Sequence, residues 1–103
     1  MVYVDWLCAH GWVLRGRTVE SCHLFADSLD ELVSFATRIG CKPQWLHKPE
    51  LRGVNTRPTP PHFDLTAARR ARAVQEGATE LTRQTLRPIL AHLRALYFPP
   101  SLL

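Results

Sequence analysis

A chain of 103 residues, 46% hydrophobic and 21% charged, suits one small domain spanning residues 1–103 and leaves no room for a second. Thirteen Lys and Arg against nine Asp and Glu give a net charge of +4, a balance that favours a phosphate-bearing ligand or nucleic acid over a cationic partner. No run of about 18 apolar residues occurs, which excludes a spanning helix and a membrane partner, and the N-terminus shows no secretory pattern; three cysteines without CxxC spacing argue against a disulfide framework and for a reducing, cytoplasmic setting.

Val2-Tyr3-Val4 reads as a first strand ending at Asp5, which could join a polar rim at the strand end but whose ordinary role is that of a turn former. Trp6 and Trp12 bracket a loop that holds Cys8 and His10. Residues 11–15 and 18–24 flank Gly16-Arg17, the pattern of a hairpin with Gly16 at positive φ. Ser28-Leu29-Asp30-Glu31 is a capping box, and Leu29, Leu32, Val33, Ala36 and Ile39 then recur at helical spacing up to Gly40. Lys42-Pro43 breaks that helix, and Gln44-Trp45-Leu46-His47 reads as a short strand. The stretch 48–61 is a Pro-rich loop, longer than the usual connection.

After His62-Phe63-Asp64-Leu65, Thr66 caps a second helix running to about Glu76 and closed by Gly77, with Ala67, Ala68, Ala71 and Val74 as its packing face. Residues 78–81 then form a strand, so 62–81 reads as a β–α–β unit with parallel strands. A last helix starts at Thr82, with Leu86, Ile89, Leu90, Leu93, Leu96 and Tyr97 as its stripe; Pro88 should kink it or mark its true first turn. Residues 97–103 make an apolar tail that packs on the domain or serves as a contact for a partner or a second copy. The expected fold class is α/β: a single small domain, with a mixed sheet of about four to five short strands and three helices.

The chemistry-bearing pattern is a His and an Asp at alternate positions, twice over. His23, Phe25 and Asp27 share one strand face, as do His62 and Asp64. Each strand runs straight into a helix cap, Ser28 or Thr66. If the strands lie in one sheet, the four ionisable groups gather at its rim beside two helix N-termini. The catalytic candidates are therefore His23, Asp27, His62 and Asp64, a His serving as general base and an Asp as its orienter. A divalent metal is the cofactor such a set could hold, although no compact metal motif occurs. Otherwise each His bonds a carbonyl and each Asp caps the helix that follows. Ligand-binding candidates are Arg70, Thr66, Ser28 and Trp45. Arg70 stands in the first turns of the second helix, where an anion meets free amides. Trp45, beside Lys42, Lys48 and Arg52, could stack a base, although a strand Trp is ordinarily core. The leading function is binding of a phosphate-bearing ligand, a nucleotide or nucleic acid, at this rim; the alternatives are metal-dependent hydrolysis or nuclease action at the same residues, and a non-enzymatic accessory or protein-interaction role.

Short matches run along residues 1–87: Met1-Val2-Tyr3-Val4-Asp5, Cys22-His23-Leu24 with Ala26-Asp27, Glu31-Leu32, Phe35-Ala36, Ile39-Gly40, Trp45, His62-Phe63-Asp64-Leu65, Arg70-Ala71, Ala73-Val74, Gly77-Ala78 and Glu80. In these the chain resembles the uncharacterised bacterial and phage domain of unknown function 4031 family. The family has a Trp where this chain has Ser21, and an aromatic plus Gln in place of Leu46-His47. The resemblance implies a similar fold centred on the two His/Asp strands and singles out Arg70; it implies no particular activity.

Overall fold

The computed structural model describes residues 1–49 and 58–99. Its longest strand, β3 (Arg17–Ala26), is antiparallel to β1 (Val2–Val4), β2 (Cys8–Leu14) and β4 (Phe63–Thr66). Ser21 is partnered by both Cys8 and Thr66, and Leu24 by both Val4 and Phe63. A strand has only two edges, so β1 and β2 share one of them and β4 takes the other. β5 (Thr79–Glu80) adds to β1 in parallel. With helices α1 (Leu29–Arg38), α2 (Ala67–Gln75) and α3 (Arg83–Tyr97), this is the expected α/β class, a mixed sheet of five strands with three helices.

Strand alternation sorts the side chains into two layers. Val4, Cys22, Leu24, Ala26, Phe63 and Leu65 pack with Leu32, Phe35, Ala36 and Ile39 from α1 and its end, and with Ala73 of α2. Tyr3 and Phe25 point the other way, against Leu81 and Leu93, with Leu86, Ile89, Leu90 and Tyr97 of α3 around them. The second layer is the smaller one. α3 covers only part of its sheet face, and polar residues of the same face are left within reach of solvent.

Local chemistry sets the boundaries, at several places differently from the sequence expectation. The hairpin turn is Arg15-Gly16, with φ of 52° and 77° and Leu14 opposite Arg17. Two positive-φ residues make the two-residue turn that matches strand twist, so the turn falls one residue earlier than expected. β2 reaches back to Cys8 through a register shift at Gly11 (φ 80°), a bulge occupying what reads in sequence as a loop. Ser28 caps α1 as expected, its Oγ accepting the Glu31 N–H at 3.2 Å. The return half of the capping box is replaced, because the Glu31 carboxylate accepts from the Met1 ammonium at 3.1 Å. Residues 44–47 are not a strand: Pro43, whose fixed φ suits a first helical position, opens a 3₁₀ turn over Pro43–Trp45, and His47 then makes one antiparallel bridge to His62.

The buried face of α2 is Ala73, flanked by half-buried Arg69, Arg70 and Val74, whereas Ala67, Ala68 and Ala71 face solvent. Arginine stems cover apolar surface while their heads find partners, and Ala is tolerated outside through its helix propensity. β4 and β5 do run the same way, but β3 and β1 lie between them. α3 starts from Thr82 and passes through Pro88 as a single helix. The reciprocal Thr82–Thr85 cap holds its first turn, and Pro88 forfeits only the bond to the Gln84 carbonyl. Leu96, expected in the stripe, is 48% exposed. Of the apolar tail, Tyr97 donates to the Ala26 carbonyl at 2.7 Å and Phe98 is buried. Residues 100–103, and 50–57 of the Pro-rich loop with Arg52 and Arg57, lie outside the described residues. No helix among the described residues is long and apolar enough to cross a membrane.

Candidate metal centre

Sheet register assembles the site. His23 on β3 lies directly opposite Asp64 on β4, so both project to the same face, the one α3 half covers. His62, two residues before Asp64, shares that face. His47 lies opposite His62 in the isolated bridge, and their rings stack at 4.8 Å with 3° between planes. Three imidazoles thus surround one carboxylate. Nε2 of His23 and of His62 stand 4.0 and 3.9 Å from Asp64 Oδ1, and His47 Nε2 is 3.2 Å from Asp64 Oδ2. One ligand atom each from His23, His62 and Asp64 fall within 4.8 Å of one another.

Two of the imidazoles are fixed from behind. Asp5 accepts the His23 backbone N–H at 2.6 Å through Oδ1 and the His23 Nδ1–H at 2.7 Å through Oδ2. The His62 Nδ1–H donates to the Pro60 carbonyl at 3.0 Å. Carboxylates and carbonyls only accept, so each ring carries a proton on Nδ1 and can turn an Nε2 lone pair towards Asp64. Asp5 is therefore no turn former: it is 7% exposed, and its own carbonyl accepts the Arg70 Nε–H at 2.8 Å. Arg70, expected to bind an anion, braces that backbone and reaches Glu80 at 3.1 Å with Nη1. The electrostatics separate the two rings. The Asp5 hydrogen bond holds His23 above the usual imidazole range against the opposing effect of burial, and burial holds His62 below it.

Separations of 3.9–4.0 Å are too long for hydrogen bonds. They lie close to the spacing of about 3.4 Å between ligand atoms that surround a tetrahedral ion at about 2.0–2.1 Å. Imidazole nitrogen with carboxylate oxygen suits zinc and its first-row neighbours, and a partner acceptor behind each ligating His is the usual supporting arrangement. These residues fit a divalent metal.

Asp27 does not join them. Four residues along β3 from His23 is about 13 Å. Its carboxylate accepts from the Met1 ammonium, Tyr3 Oη and His92 Nε2, each at 2.9 Å. Burial raises the Asp27 pKa, but those three donors outweigh it and leave the group below its ordinary value; Tyr3 is pushed up to about 12 by burial and this carboxylate. The two helix caps part for the same reason. β3 and β4 are antiparallel, so the strand end at Ser28 and the one at Thr66 lie at opposite ends of the sheet. Ser28 serves α1, and Thr66 Oγ1 accepts the Arg69 N–H at 3.3 Å.

Two clefts meet at the centre. One of about 230 Å³, towards α3, is lined by Asp5, His23, Phe25, Pro60, His62 and Arg94. The other, of about 640 Å³, is lined by Trp12, Trp45, His47, Asp64, Thr66 and Arg69. Trp45 is 43% exposed and so is no core residue; the Arg69 guanidinium and the Lys42 ammonium lie 5.1 and 5.8 Å from its ring centre. Cys22, beside His23 but on the opposite face, is buried, which pushes its thiol up to about 12 and removes it from the nucleophiles.

His47 is a participant that sequence reasoning missed, and Asp5 is one whose place at the rim it set below a turn-forming role. Asp5 left a usable signal, since it stands two residues after Tyr3 and hence on the same face. His47 left none, because its partner lies across the long connection.

A family model described as Protein of unknown function (DUF4031) matches residues 2–93, a span that holds Asp5, His23, His47, His62, Asp64 and Arg70. No curated protein and no solved structure matches the chain.

Proposed function

This chain belongs to the family that its residues 2–93 match, one defined without an activity, and on that premise we propose a metal-dependent hydrolase of a phosphate-bearing substrate. His23, His62 and Asp64 are the ligands, and His47 is the nearby proton acceptor. The observation that carries this reading is the fixing of both Nδ1 atoms, by Asp5 and by the Pro60 carbonyl, with the freed Nε2 atoms converging on one carboxylate. A satisfied structural histidine needs one partner; here each ring has that partner behind it and keeps a second nitrogen for the cluster.

A divalent ion held there would lower the pKa of its water into the neutral range and polarise a phosphoryl oxygen. The protein supplies the rest. Asp5 keeps His23 in the ligating tautomer, and Arg70 keeps Asp5 in place. His47, the most exposed of the three imidazoles, takes the proton of the attacking water and passes it to solvent. The net charge of +4 and Arg94 beside His23 and His62 in the smaller cleft favour an anionic substrate. Cys22 and Cys41 pack as thiols in the core, and the proposal includes a reducing, cytoplasmic setting.

The test is a zinc titration of chelator-stripped protein by calorimetry, followed by hydrolysis of bis(4-nitrophenyl) phosphate. One ion per chain, hydrolysis only with the ion, and loss of both in Asp64→Ala and His62→Ala are expected. Binding no stronger than that of the two variants would overturn the reading.

A further inference from the structure

Asp64 and His47 form one wall of the larger cleft, so whatever occupies it meets the candidate centre directly. We infer that this cleft takes the base of a nucleotide unit whose phosphate lies at the centre; the inference rests on the hydrolase reading and names the substrate class of that site. Two indoles line the cleft, and Leu14, 46% exposed, lines it with them. Rings as large as Trp45 are highly buried on average, and an exposed apolar wall rimmed by polar groups marks a binding surface. The cations beside it are placed at an aromatic plane: Arg69 lies 5.1 Å from the Trp45 ring centre and Lys42 5.8 Å. A guanidinium is flat and stacks as well as pairing with phosphate.

Flat apolar rings with cations between them are how single-stranded nucleic acid and nucleotides are held, the rings taking bases and the cations the backbone. The volume, about 640 Å³, exceeds what a phosphate fills and falls within the range of small-molecule sites. A hydrocarbon chain fits poorly. It would take the Asp64 carboxylate, the His47 imidazole and the Arg69 guanidinium out of water and offer them no hydrogen bond in return.

The experiment titrates the full chain, with and without zinc, using adenosine 5′-monophosphate, ribose 5-phosphate and a thymidine hexanucleotide, and follows tryptophan fluorescence. Base stacking should make adenosine monophosphate bind roughly 5- to 150-fold more tightly than ribose 5-phosphate, and Trp12→Ala and Trp45→Ala should each erase most of that ratio. A hexanucleotide that binds more tightly than the mononucleotide identifies a strand as the source of the base; equal affinity identifies a free nucleotide, and either upholds the inference. Equal binding of adenosine monophosphate and ribose 5-phosphate to the zinc-loaded protein overturns it and leaves the metal centre standing. If zinc fails to bind while the base preference persists, the metal reading falls and the cleft assignment stands.

Discussion

Replacing Asp5 by Asn tests the centre through a residue that occupies no ligand position. Its carboxylate accepts two N–H groups of His23, the backbone one at 2.6 Å and Nδ1 at 2.7 Å. Asn keeps the shape but offers one accepting oxygen and one donating NH₂. With the oxygen held by the fixed backbone N–H, the NH₂ faces Nδ1, which must then present its lone pair. The ring proton moves to Nε2, the atom turned towards Asp64, and ligation is blocked. Loss of such a supporting acceptor lowers metal affinity about 10- to 100-fold, or about 1.4–2.8 kcal/mol. The metal-free protein also loses a charge-assisted hydrogen bond worth about 1.5–3 kcal/mol, a fall in Tm of roughly 6–24 °C for a domain of this size. Zinc affinity is read by competition with a chromophoric chelator well below the lowered Tm, and stability by urea denaturation. An affinity within about twofold of wild type, alongside the forecast loss of stability, would refute the argument and leave Asp5 a structural residue.

His62→Ala should remove zinc binding with native circular dichroism and a stability loss of about 1–2 kcal/mol; a larger loss with zinc binding retained would make His62 a packing residue. Asp27 has a pKa held below its ordinary value of 3.8, so its stabilising effect is present above that value and lost as the pH falls through the lower, folded-state one. Asp27→Asn should therefore cost under about 1 kcal/mol at neutral pH, the group being partly exposed, and the Tm difference from wild type should shrink from about pH 4 downwards. A difference independent of pH would contradict this. Leu93→Ala empties a fully buried position under α3 and should cost about 2–5 kcal/mol by urea denaturation; a near-neutral effect would mean that α3 docks loosely.

Period-two alternation made much of this legible from residues alone. It put Phe63 and Leu65 inward and His62 and Asp64 outward, and the hydroxyls of Ser28 and Thr66 marked where two helices begin. Pairing was not legible, because alternation tells which face a side chain takes and not which neighbour its strand acquires. Antiparallel register is what brings Asp64 opposite His23 and carries Asp27 away to Met1, Tyr3 and His92. The phase of α2 misled for a different reason. Arginine reads as a surface residue by charge, yet Arg70 is half-buried because Asp5 and Glu80 satisfy its guanidinium. Asp5 itself, a polar residue ending a strand, had a turn as its ordinary reading, and only the tertiary partner on β3 gives it another role.

Cys22 and Leu24 flank His23 in the chain and lie wholly inside the opposite layer, against α1 and α2. A peptide pleat is stiff over so short a span, so the hydrophobic interior on one side sets the tilt of an imidazole on the other. Volume changes far beneath the sheet are thus transmitted as small rotations of the His23 ring. Damage to the oily layer should register as weakened chemistry at temperatures where the molecule still counts as folded.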